Sequence, residues 1–583
     1  MDALPWLRAY DPGIPPTLRP YPDKTLVDCL AEAARARPHA AALYFKGATV
    51  SYRQLHQQSN ALAAAFSGLG VRRGSRVALL LPNCPQAVLA QVAAWKVGAL
   101  VAPLNPLYTP AEIEHALALT GAETVVALTL FYDKVKAVQP HTVVRHVLAT
   151  SIGEYLPLGL RLAFHLFRER RDGHRIRLRP GDLWLADCLW QQAQAEHPAA
   201  APAPEDPALL IFTGGTTGAP KAAVATHGGL LMAGMQMQAW SNGLFKEWHD
   251  SVVLALPLFH AAGNVGALTF GLLGHYPLVL IPNPRDLDDL LAAIRRTRPA
   301  LLPGVPTLFH ALLEHPAVRA HPADLHCLKL SFAGAAPLLA ETRRRWETLT
   351  GGRIVEAYAL TESVMAAVMG PVRGRDRPGA VGLPLPDVEV RAVALDDPIN
   401  HGPMDDAAFD ETPAALPPGV VGELIIRAPQ LMAGYWQDPK ETYCALRYGW
   451  LYTGDLGYLD ADGYVYVVDR KKDLIKPSGF QVWPREVEEV LARHPAVAEV
   501  GVAGVPDAHQ GEAVAAWVVL RPGVAPPTVE ALRGFCRERL AAYKVPRRFE
   551  FCSDLPKSAI GKVLRRELTG AAEINARLTH LAD

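Results

Sequence analysis

Residues 207–221 read PALLIFTGGTTGAPK, a short apolar run that leads into a loop rich in glycine and threonine. The apolar run predicts a buried strand, so the loop leaves a strand end, where α/β proteins place ligands. Exposed N–H groups, hydroxyls and a lysine can bind phosphate. A nucleoside-triphosphatase P-loop would need glycine and lysine where Ala219 and Pro220 stand. Two interpretations remain, a different kind of phosphate-binding loop and a flexible surface turn.

Length and composition indicate a large folded protein and favour small-molecule chemistry over nucleic-acid binding. The chain has 583 residues, so it contains several domains or two large ones. Half of its residues are hydrophobic and 20% are charged, which favours an extensive globular interior over disorder. Basic and acidic residues number 58 each, so no overall positive charge is available to bind nucleic acid.

The cysteines and the N-terminus favour a cytoplasmic location. The seven cysteines are scattered without a Cys-x-x-Cys pair, so we expect neither a structural zinc site nor a disulfide framework. The first residues, MDALPWLRAYDPGIPP, contain no apolar stretch of the kind found in secretory signals. A reducing cytoplasm fits both features.

One long passage, residues 251–284, contains no Asp, Glu, Lys or Arg and raises the question of a membrane span. Pro257, His260, Asn264 and Pro277, together with several glycines, interrupt it. These interruptions predict a strand, a loop, a short helix and a second strand. We therefore expect buried core here and not a membrane-spanning helix.

A second segment, residues 152–177, combines leucines and phenylalanines with a cluster of arginines. Such a composition suits a helix that lies on an anionic membrane surface, here at the inner face of the membrane. The alternative, which we favour from sequence, is a surface excursion whose apolar face packs on its own domain, because Gly153, Pro157 and Gly159 weaken the first turns.

Helix-like and strand-like patterns alternate through most of the chain, which is an α/β signature. We predict a large N-terminal domain, residues 1–470, of mixed sheets covered by helices. Near Tyr464 the pattern changes to a hairpin-like pair of strands, then a helix, two strands and a helix. These elements predict a small α+β C-terminal domain, residues 471–583, with the boundary in the charged run Asp469–Asp473.

Seven motifs stand in a fixed order along the chain: TGGTTGAPK from 213, LPLFHAAG from 256, AYALTES from 357, GELIIRAPQLMAGYW from 422, YTGD from 452, DRKKD from 469 and PKSAIGKVLRRE from 556. Together they resemble the adenylate-forming (AMP-binding) enzyme superfamily over about residues 25–566. The stretch VDRKKDLIKPSGFQVWPREVEEVL, from 468, is most similar to long- and medium-chain fatty acyl-CoA synthetases.

The resemblance implies an ATP-dependent fatty acyl-CoA synthetase. A carboxylate and ATP would give acyl-AMP and pyrophosphate with the help of Mg²⁺, and the thiol of CoA would then give acyl-CoA and AMP. Alternatives are a fatty acyl-AMP ligase that loads a carrier protein, a CoA ligase for an aromatic or other carboxylic acid, and a catalytically silent acyl or nucleotide sensor. Whether the protein forms a homodimer is not decided by the sequence.

For ATP, the resemblance implies a site made by residues in or next to four motifs and in the C-terminal tail. They are Thr213, Gly214, Gly215, Thr216, Thr217, Gly218, Lys221, Glu356, Ala357, Tyr358, Thr361, Asp455, Arg470 and Lys562. Tyr358 is expected to stack on adenine, and Asp455 with Arg470 to bind the ribose. Glu362 and Thr213 are the expected Mg²⁺ ligands, because that ion prefers hard oxygen donors.

For catalysis, the implied residues are Lys562, Glu362, Thr216 and His260, and Lys562 would place its charge between the two reacting anions. His260, Gly334, Ala335 and Ala336 are expected to line the acyl pocket. Lys476, Ser478 and Gly479 are expected to line the CoA channel after the C-terminal domain has rotated about a hinge at Lys472. The sequence departs from the family pattern at Gly214, Ala222 and Ala359, and the two alanines would be strained if their φ angles were positive.

Overall fold

The structure, a computed structural model, describes residues 4–196, 202–213, 220–365, 368–395, 413–477, 482–507, 510–557, 563–565 and 567–569. Its described strands form sheets of nine, seven, five and three strands. The three larger sheets and their helices make a large N-terminal domain, and the three-stranded sheet belongs to a smaller C-terminal domain. The predicted fold class is therefore confirmed.

In chain order the strands of the two largest sheets are β1 Ala41–Phe45, β2 Ala48–Ser51, β3 Arg76–Leu80, β4 Leu100–Pro103, β5 Thr124–Leu128, β6 His146–Thr150, β7 Leu183–Trp184, β8 Pro207–Thr213, β9 Lys221–Thr226, β10 Val252–Leu254, β11 Leu278–Leu280, β12 Leu301–Gly304, β13 Leu330–Gly334, β14 Arg353–Tyr358, β15 Val368–Met369 and β16 Leu383–Pro384. The nine-stranded sheet has the order β16-β15-β14-β13-β12-β10-β11-β1-β2, and the seven-stranded sheet β7-β6-β5-β3-β4-β8-β9. Both sheets are parallel in their centres. The first is antiparallel at both edges, at β14 to β16 and at β1–β2, and the second is antiparallel at one edge, at β8–β9.

The helices of the N-terminal domain are α1 Leu26–Ala36, α2 Tyr52–Gly68, α3 Pro85–Lys96, α4 Pro110–Thr120, α5 Tyr132–Val138, α6 Leu158–Ala163, α7 Leu185–Gln191, α8 His227–Ser241, α9 Phe270–Leu273, α10 Leu287–Thr297, α11 Pro306–Glu314, α12 Pro316–Ala320, α13 Ala340–Thr350 and α14 Pro439–Ala445. Every residue of α3 is buried, and its side chains share one core with inward-facing residues of both large sheets. Strand side chains alternate between faces. Accordingly, Val77 of β3 joins this central core and Ala78 joins an outer core with α4 and α5. Helices therefore lie between the two sheets and also on their outer faces.

The five-stranded sheet follows the large sheets in sequence. It contains β17 Glu389–Val393, β18 Gly422–Arg427, β19 Leu446–Arg447, β20 Trp450–Leu459 and β21 Val465–Arg470. Its order is β17-β18-β20-β19, with β21 paired antiparallel to β20. The predicted hairpin near Tyr464 is therefore made by β21 with the preceding strand. Between β21 and α15, an isolated antiparallel bridge joins Ile475 to Val482.

The C-terminal elements are α15 Pro484–Ala492, β22 Val497–Asp507, β23 Gly511–Leu520, α16 Val529–Arg537 and β24 Arg548–Cys552. The two predicted strands and the helix after them are confirmed. A separate apolar core joins this sheet to α15 and α16. Strand β21 ends at Arg470, and the domain boundary at that residue stays a prediction.

The structure tests the sequence interpretations of two apolar segments. The uncharged passage 251–284 folds into β10, a π-helical turn Ala262–Thr269, α9 and β11, and it is largely buried, as predicted. In the segment 152–177, Ile152, Tyr155 and Leu156 pack against the main core, whereas α6 is exposed along its whole length. The packing that we favoured from sequence therefore holds for the start of the segment and not for α6. Among the described residues, no helix combines the length and the apolar character that crossing a membrane requires.

Candidate active site

Asp455 contacts two other residues that were predicted to bind the nucleotide. The carboxylate is only 4% exposed; Oδ2 accepts a hydrogen bond from the Tyr358 hydroxyl at 2.8 Å, and Oδ1 lies 3.1 Å from Nε of Arg470. Asp455 and Arg470 face each other because β20 and β21 pair in that register. Burial, and next the charge of Asp455, raise the pKa of Tyr358 well above its usual value, so the phenol remains a neutral donor.

The turn that carries Asp455 is fixed by residues to which sequence reasoning gave no role. The Thr453 hydroxyl accepts from the Asp455 N–H at 3.0 Å and donates to the carbonyl of Leu424 at 2.6 Å. Glu423 accepts from the Gly454 N–H at 3.2 Å and from Lys471 Nζ at 2.8 Å. Gly454 has φ +68°, a conformation that favours glycine. Glu423 and Thr453 lie in quoted motifs, but no spacing rule links them.

Tyr435 connects the expected Mg²⁺ ligand to the base of the phosphate loop. Its hydroxyl donates to Glu362 Oε1 at 2.8 Å, and Lys221 Nζ lies 5.2 Å from the centre of its ring. Lys221 also forms an ion pair with Glu441 and pairs in register with Thr213 across β8 and β9. Tyr435 thus links Lys221 to Glu362, and strand pairing places Thr213 next to Lys221. Tyr435 lies in the quoted GELIIRAPQLMAGYW motif but was not predicted.

Backbone hydrogen bonds hold Tyr435 in this place. The N–H groups of Val224 and Ala433 donate to the carbonyls of Gly434 and Val224, each at 2.9 Å, and the Trp436 N–H donates to Ala222 at 2.8 Å. The same segment reaches the other side of the site, because the Met432 N–H donates to the carbonyl of Glu362 at 2.9 Å. The segment 432–436 therefore joins β9 to the turn that carries Glu362.

That turn is held in a strained conformation. Val364 and Met365 have φ angles of +50° and +64°, which are costly for a β-branched or a long side chain. Hydrogen bonds of the Ser363 hydroxyl with both backbone groups of Leu360, at 3.0 and 3.1 Å, close the turn. Val364 is almost completely buried. Thr361 accepts from the Val364 N–H at 3.1 Å, so this predicted residue lies in the same turn as Glu362.

The predicted acyl-binding residues lie one strand away from Tyr358. Gly334, at the end of β13, pairs with Ala357 of β14, and a Cβ placed at Gly334 would lie 3.4 Å from the carbonyl oxygen of Ala357. The chain then turns sharply, because Ala335 has φ +69°, and both Ala335 and Ala336 are exposed. The strand end expected to line the acyl pocket and the strand end expected to bind adenine are thus neighbours in one sheet.

Glu356 differs from the other predicted nucleotide residues, because its carboxylate already has partners on the acyl side. It accepts from the Leu338 N–H at 3.1 Å and from Arg343 at 3.0 Å. Burial raises the pKa of Glu356. These contacts hold α13 and the turn after β13 against β14. The Glu356 side chain therefore positions the turn that is expected to line the acyl pocket.

His260 lies between β10 and the π-helical turn. Its Nδ1 accepts from the Ala262 N–H at 3.3 Å, so the neutral ring carries its proton on Nε2. Burial lowers the pKa of His260 to about 4. Asn83, which sequence reasoning missed, fixes this loop: its amide donates to the carbonyls of Leu254 and Leu256 and accepts from Leu258, each at 2.9 Å.

The expected C-terminal site residues are described only in part. Lys472 lies in the helical turn Lys471–Asp473, directly after β21, and the N–H of the exposed Lys476 donates to Glu512 at 2.6 Å. The predicted residues that fall outside the described ranges are Gly214, Gly215, Thr216, Thr217, Gly218, Ser478, Gly479 and Lys562. The two alanines that replace family glycines, Ala222 and Ala359, do not have positive φ angles.

Comparisons with known proteins agree with this arrangement. A family model for AMP-binding enzymes matches residues 30–436, and one for the AMP-binding enzyme C-terminal domain matches residues 486–562. The chain belongs to the AMP-binding enzyme family, and it is an adenylate-forming acid–thiol ligase.

Individual relatives and solved structures show which kinds of CoA ligase the chain is similar to. The chain is 36% identical over 565 residues to a long-chain-fatty-acid–CoA ligase of Bacillus subtilis, covering 97% of each chain. It is 32% identical over 536 residues to a feruloyl-CoA synthase of an Amycolatopsis species, covering 92% of this chain and 96% of the relative. Among solved structures, an anthranilate CoA ligase in complex with anthranoyl-AMP is similar with a TM-score of 0.81 and 27% identity, over 96% of this chain and 99% of that one.

Proposed function

We propose that this protein is an ATP-dependent fatty acyl-CoA synthetase. The observation that carries the proposal is the pairing of Gly334 with Ala357, next to the Tyr358–Asp455–Arg470 cluster. This pairing sets a strand end with small residues beside a group that can bind ribose. Relatives named as long-chain-fatty-acid–CoA ligases support a fatty acid as the acyl substrate.

In the first half-reaction the carboxylate oxygen attacks the α-phosphorus of ATP, and the bond to pyrophosphate breaks. Asp455 would accept hydrogen bonds from the ribose hydroxyls, and Arg470 would hold that carboxylate in place. The loop 213–221 would bind the phosphates that leave, with Thr216 and Lys221 as side-chain contacts. Lys562 would bring its positive charge to the two anions as they meet.

A magnesium ion would be held by Glu362, Thr213 and the phosphates of ATP. One protein carboxylate suits Mg²⁺, which usually takes one or two carboxylates together with substrate phosphates. The ion supplies charge neutralisation on those phosphates. Tyr435 orients the carboxylate of Glu362 for this contact.

The acyl group would bind past Gly334, Ala335 and Ala336, with His260 near the carboxylate. Because the pKa of His260 is about 4, its ring is neutral at physiological pH and acts as a hydrogen-bond donor or packing surface. A neutral ring suits a pocket for an alkyl chain, in which each buried methylene contributes up to about 0.8 kcal/mol.

In the second half-reaction the CoA thiol attacks the acyl carbonyl, and AMP leaves. Rotation of residues 471–583 about Lys472 would move Lys562 away and bring Lys476, Ser478 and Gly479 to the pantetheine channel.

The similarity to a feruloyl-CoA synthase favours one second candidate, a CoA ligase for an aromatic acid. We expect a cytoplasmic protein, and a homodimer is the oligomer to test by light scattering.

The test is a panel of acids with ATP and Mg²⁺, with and without CoA. Acetate, octanoate, palmitate, oleate and ferulate are compared, and AMP and thioester are measured together. We expect thioester from the longer fatty acids and equal amounts of AMP. Preference for ferulate would establish the aromatic candidate. Acyl-AMP that accumulates without thioester would favour transfer to a carrier protein, and no turnover with any acid would reject the proposal.

A further inference from the structure

The buried carboxylate of Asp469 lies before the expected hinge in the chain and contacts residues that come after it. Asp469 is in β21 and pairs with Leu456 of β20, so it belongs to the five-stranded sheet. The residue is only 5% exposed. The expected hinge residue, Lys472, follows three positions later. A hydrogen bond between Asp469 and a residue beyond Lys472 must therefore break when the C-terminal domain rotates.

The first of these contacts is with the N-terminus of α15. The first N–H groups of a helix have no partner within the helix. Trp483, which precedes α15, makes no side-chain cap hydrogen bond, and Pro484 has no N–H. The next N–H, that of Arg485, donates to Oδ2 of Asp469 at 2.8 Å. The helix dipole also favours a carboxylate at this position. Asp469 therefore caps α15 from the neighbouring sheet.

The side chain of Arg485 strengthens the same junction. Its Nη1 donates to the carbonyl of Val467, which is two residues before Asp469 in β21, at 2.8 Å. Burial raises the pKa of Glu356 in β14, and the charge of Arg485 is one of the effects that oppose this rise. Arg485 thus lies close to β14 as well as to β21, and it joins α15 to the large domain.

The second contact from beyond the hinge comes from Arg565. Its Nη1 lies 3.2 Å from Oδ1 of Asp469, and the guanidinium also pairs with Asp473 and Glu488, each at 2.9 Å. Asp473 and Glu488 follow Lys472 in the chain, so they would move together with Arg565. A rotation about Lys472 would keep these two ion pairs and break the one with Asp469.

The orientation that these contacts hold suits the first half-reaction. Arg565 lies in the motif PKSAIGKVLRRE, which also contains Lys562, the residue proposed to bring positive charge to the reacting anions. Its partner Asp469 immediately precedes Arg470, and Arg470 lies 3.1 Å from Asp455 in the candidate nucleotide site. Asp469 therefore holds this motif beside the strand end that carries the candidate ribose-binding residues.

We propose that Asp469 is a positioning residue that holds the C-terminal domain in the orientation for acyl-AMP formation. Its carboxylate accepts from Arg485 and Arg565 while the adenylate forms, and both bonds break when the domain rotates for thioester formation. Asp469 acts through these two arginines and not through contact with ATP or the acid. The inference rests on the proposed two-step reaction and names the residue that sets the balance between its two orientations.

The test compares the two half-reactions in the full-length wild type and in Asp469→Asn, which keeps an acceptor oxygen but loses the charge. Acyl-AMP formation is measured with ATP, Mg²⁺ and the acid that gives the most thioester in the panel above. Thioester formation is measured with CoA and the synthetic acyl-AMP of that acid. We expect the ratio of the first rate to the second to fall about tenfold or more, because hydrogen bonds to a charged group are weakened. The KM for ATP should be unchanged, because Asp455 and Arg470 keep their contact.

Two further variants separate the role of Asp469 from a general effect on folding. Asp473→Asn removes a charge that contacts the same guanidinium from the other side of the hinge, so it should leave the ratio unchanged. Arg485→Met loses the contact with Val467 and should lower the ratio, and it tests the proposal independently if Asp469→Asn does not fold. Hydrogen exchange in β22 and β23 should match the wild type in each folded variant.

The outcomes distinguish this inference from the proposed function. Equal ratios in the wild type, Asp469→Asn and Arg485→Met would overturn the inference. So would a higher KM for ATP with an unchanged kcat in Asp469→Asn, because Asp469 would then act on the nucleotide site. A wild type that forms no acyl-AMP with any acid would reject the proposed function, and this inference with it.

Discussion

At the scale of single residues, Asp455 is the most sharply testable part of the candidate nucleotide site. Its buried carboxylate contacts both Tyr358 and Arg470, and it would contact both ribose hydroxyls. We predict that Asp455→Asn raises the KM for ATP in acyl-AMP formation about tenfold or more, because hydrogen bonds to a charged group contribute about 1.5–3 kcal/mol. Asp462→Asn, on the exposed turn after the same strand, is the matched control and should leave KM unchanged.

His260 gives a second prediction, which concerns pH. Because burial lowers its pKa to about 4, the ring gains no proton as the pH falls from 8 to 6. We predict that His260→Phe keeps the pH profile of adenylation over that range, whereas His260→Ala raises the KM for the acid through lost contact. A step near pH 6.5 that is present in the wild type and absent from His260→Phe would contradict this prediction.

Some site residues can be predicted from sequence and others cannot. Asp455, Arg470 and Glu362 stand inside motifs whose order resembles a known family. Tyr435 and Asn83 act through contacts with residues far away in the chain: Tyr435 bonds Glu362, and Asn83 bonds the loop before His260. No local pattern encodes such contacts.

At the scale of elements, Arg565 ties the C-terminal tail to the segment after β21. It follows Lys562 by three residues, and its guanidinium contacts Asp469 at 3.2 Å and both Asp473 and Glu488 at 2.9 Å. Asp469 is only 5% exposed, and burial raises the pKa of Glu488. The charge of Arg565 therefore offsets the free-energy cost of burying these carboxylates.

We predict that Arg565→Ala destabilises the C-terminal domain by about 3–5 kcal/mol, because it leaves buried charge unpaired. Amides of β22 and β23 should exchange with deuterium much faster in this variant, while those of β3 and β5 stay protected. The control Arg537→Ala removes a half-exposed arginine that pairs with Glu530 and should cost under about 1 kcal/mol. Equal exchange in the two variants would show that the Arg565 cluster does not hold the domain.

The kind and order of the elements could be predicted from periodicity, but their partners in the sheets could not. The strand at Val465 was expected to begin a hairpin of the small domain, whereas it pairs with β20 of the large one. Strand patterns report burial and alternation, and neither identifies the neighbour in the sheet. The same limit applies to α6, where composition indicated an amphipathic helix but did not show that its apolar side chains are exposed.

At the scale of the whole molecule, a buried lysine between the two large sheets makes stability depend on pH. Lys96 of α3 is fully buried; its ammonium donates to Asn60 at 2.6 Å and to Ser59 at 2.8 Å, and burial lowers its pKa to about 7. The unfolded chain holds this proton up to a pH of about 10.4. Above pH 7 the unfolded state therefore binds more protons, so the free energy of unfolding rises with pH.

We predict that Lys96→Met removes this rise, whose slope approaches about 1.4 kcal/mol per pH unit between pH 7 and 9. Chemical denaturation at several pH values measures it. Lys246→Met, at an exposed lysine, is the control and should keep the wild-type slope. If all three proteins have the same slope, Lys96 is charged in the folded state throughout this range.

The same layered fold brings the candidate site together from several elements. Gly334 and Tyr358 end neighbouring strands of one sheet, Lys221 begins an edge strand of a second, and Asp455 lies on a third. The alternation of helices and strands predicted the layers. The meeting of three sheets at one place depends on how they stack, which the family resemblance implied and no pattern in the chain could show.

A single-turnover measurement with palmitate, ATP and Mg²⁺, in which CoA is withheld and then added, tests the proposed reaction sequence directly. We expect palmitoyl-AMP to form before CoA is present, in an amount close to that of the protein. On addition of CoA it should convert to palmitoyl-CoA with release of AMP. Formation of ADP, or thioester that appears without a preceding adenylate, would contradict the two-step mechanism at this site.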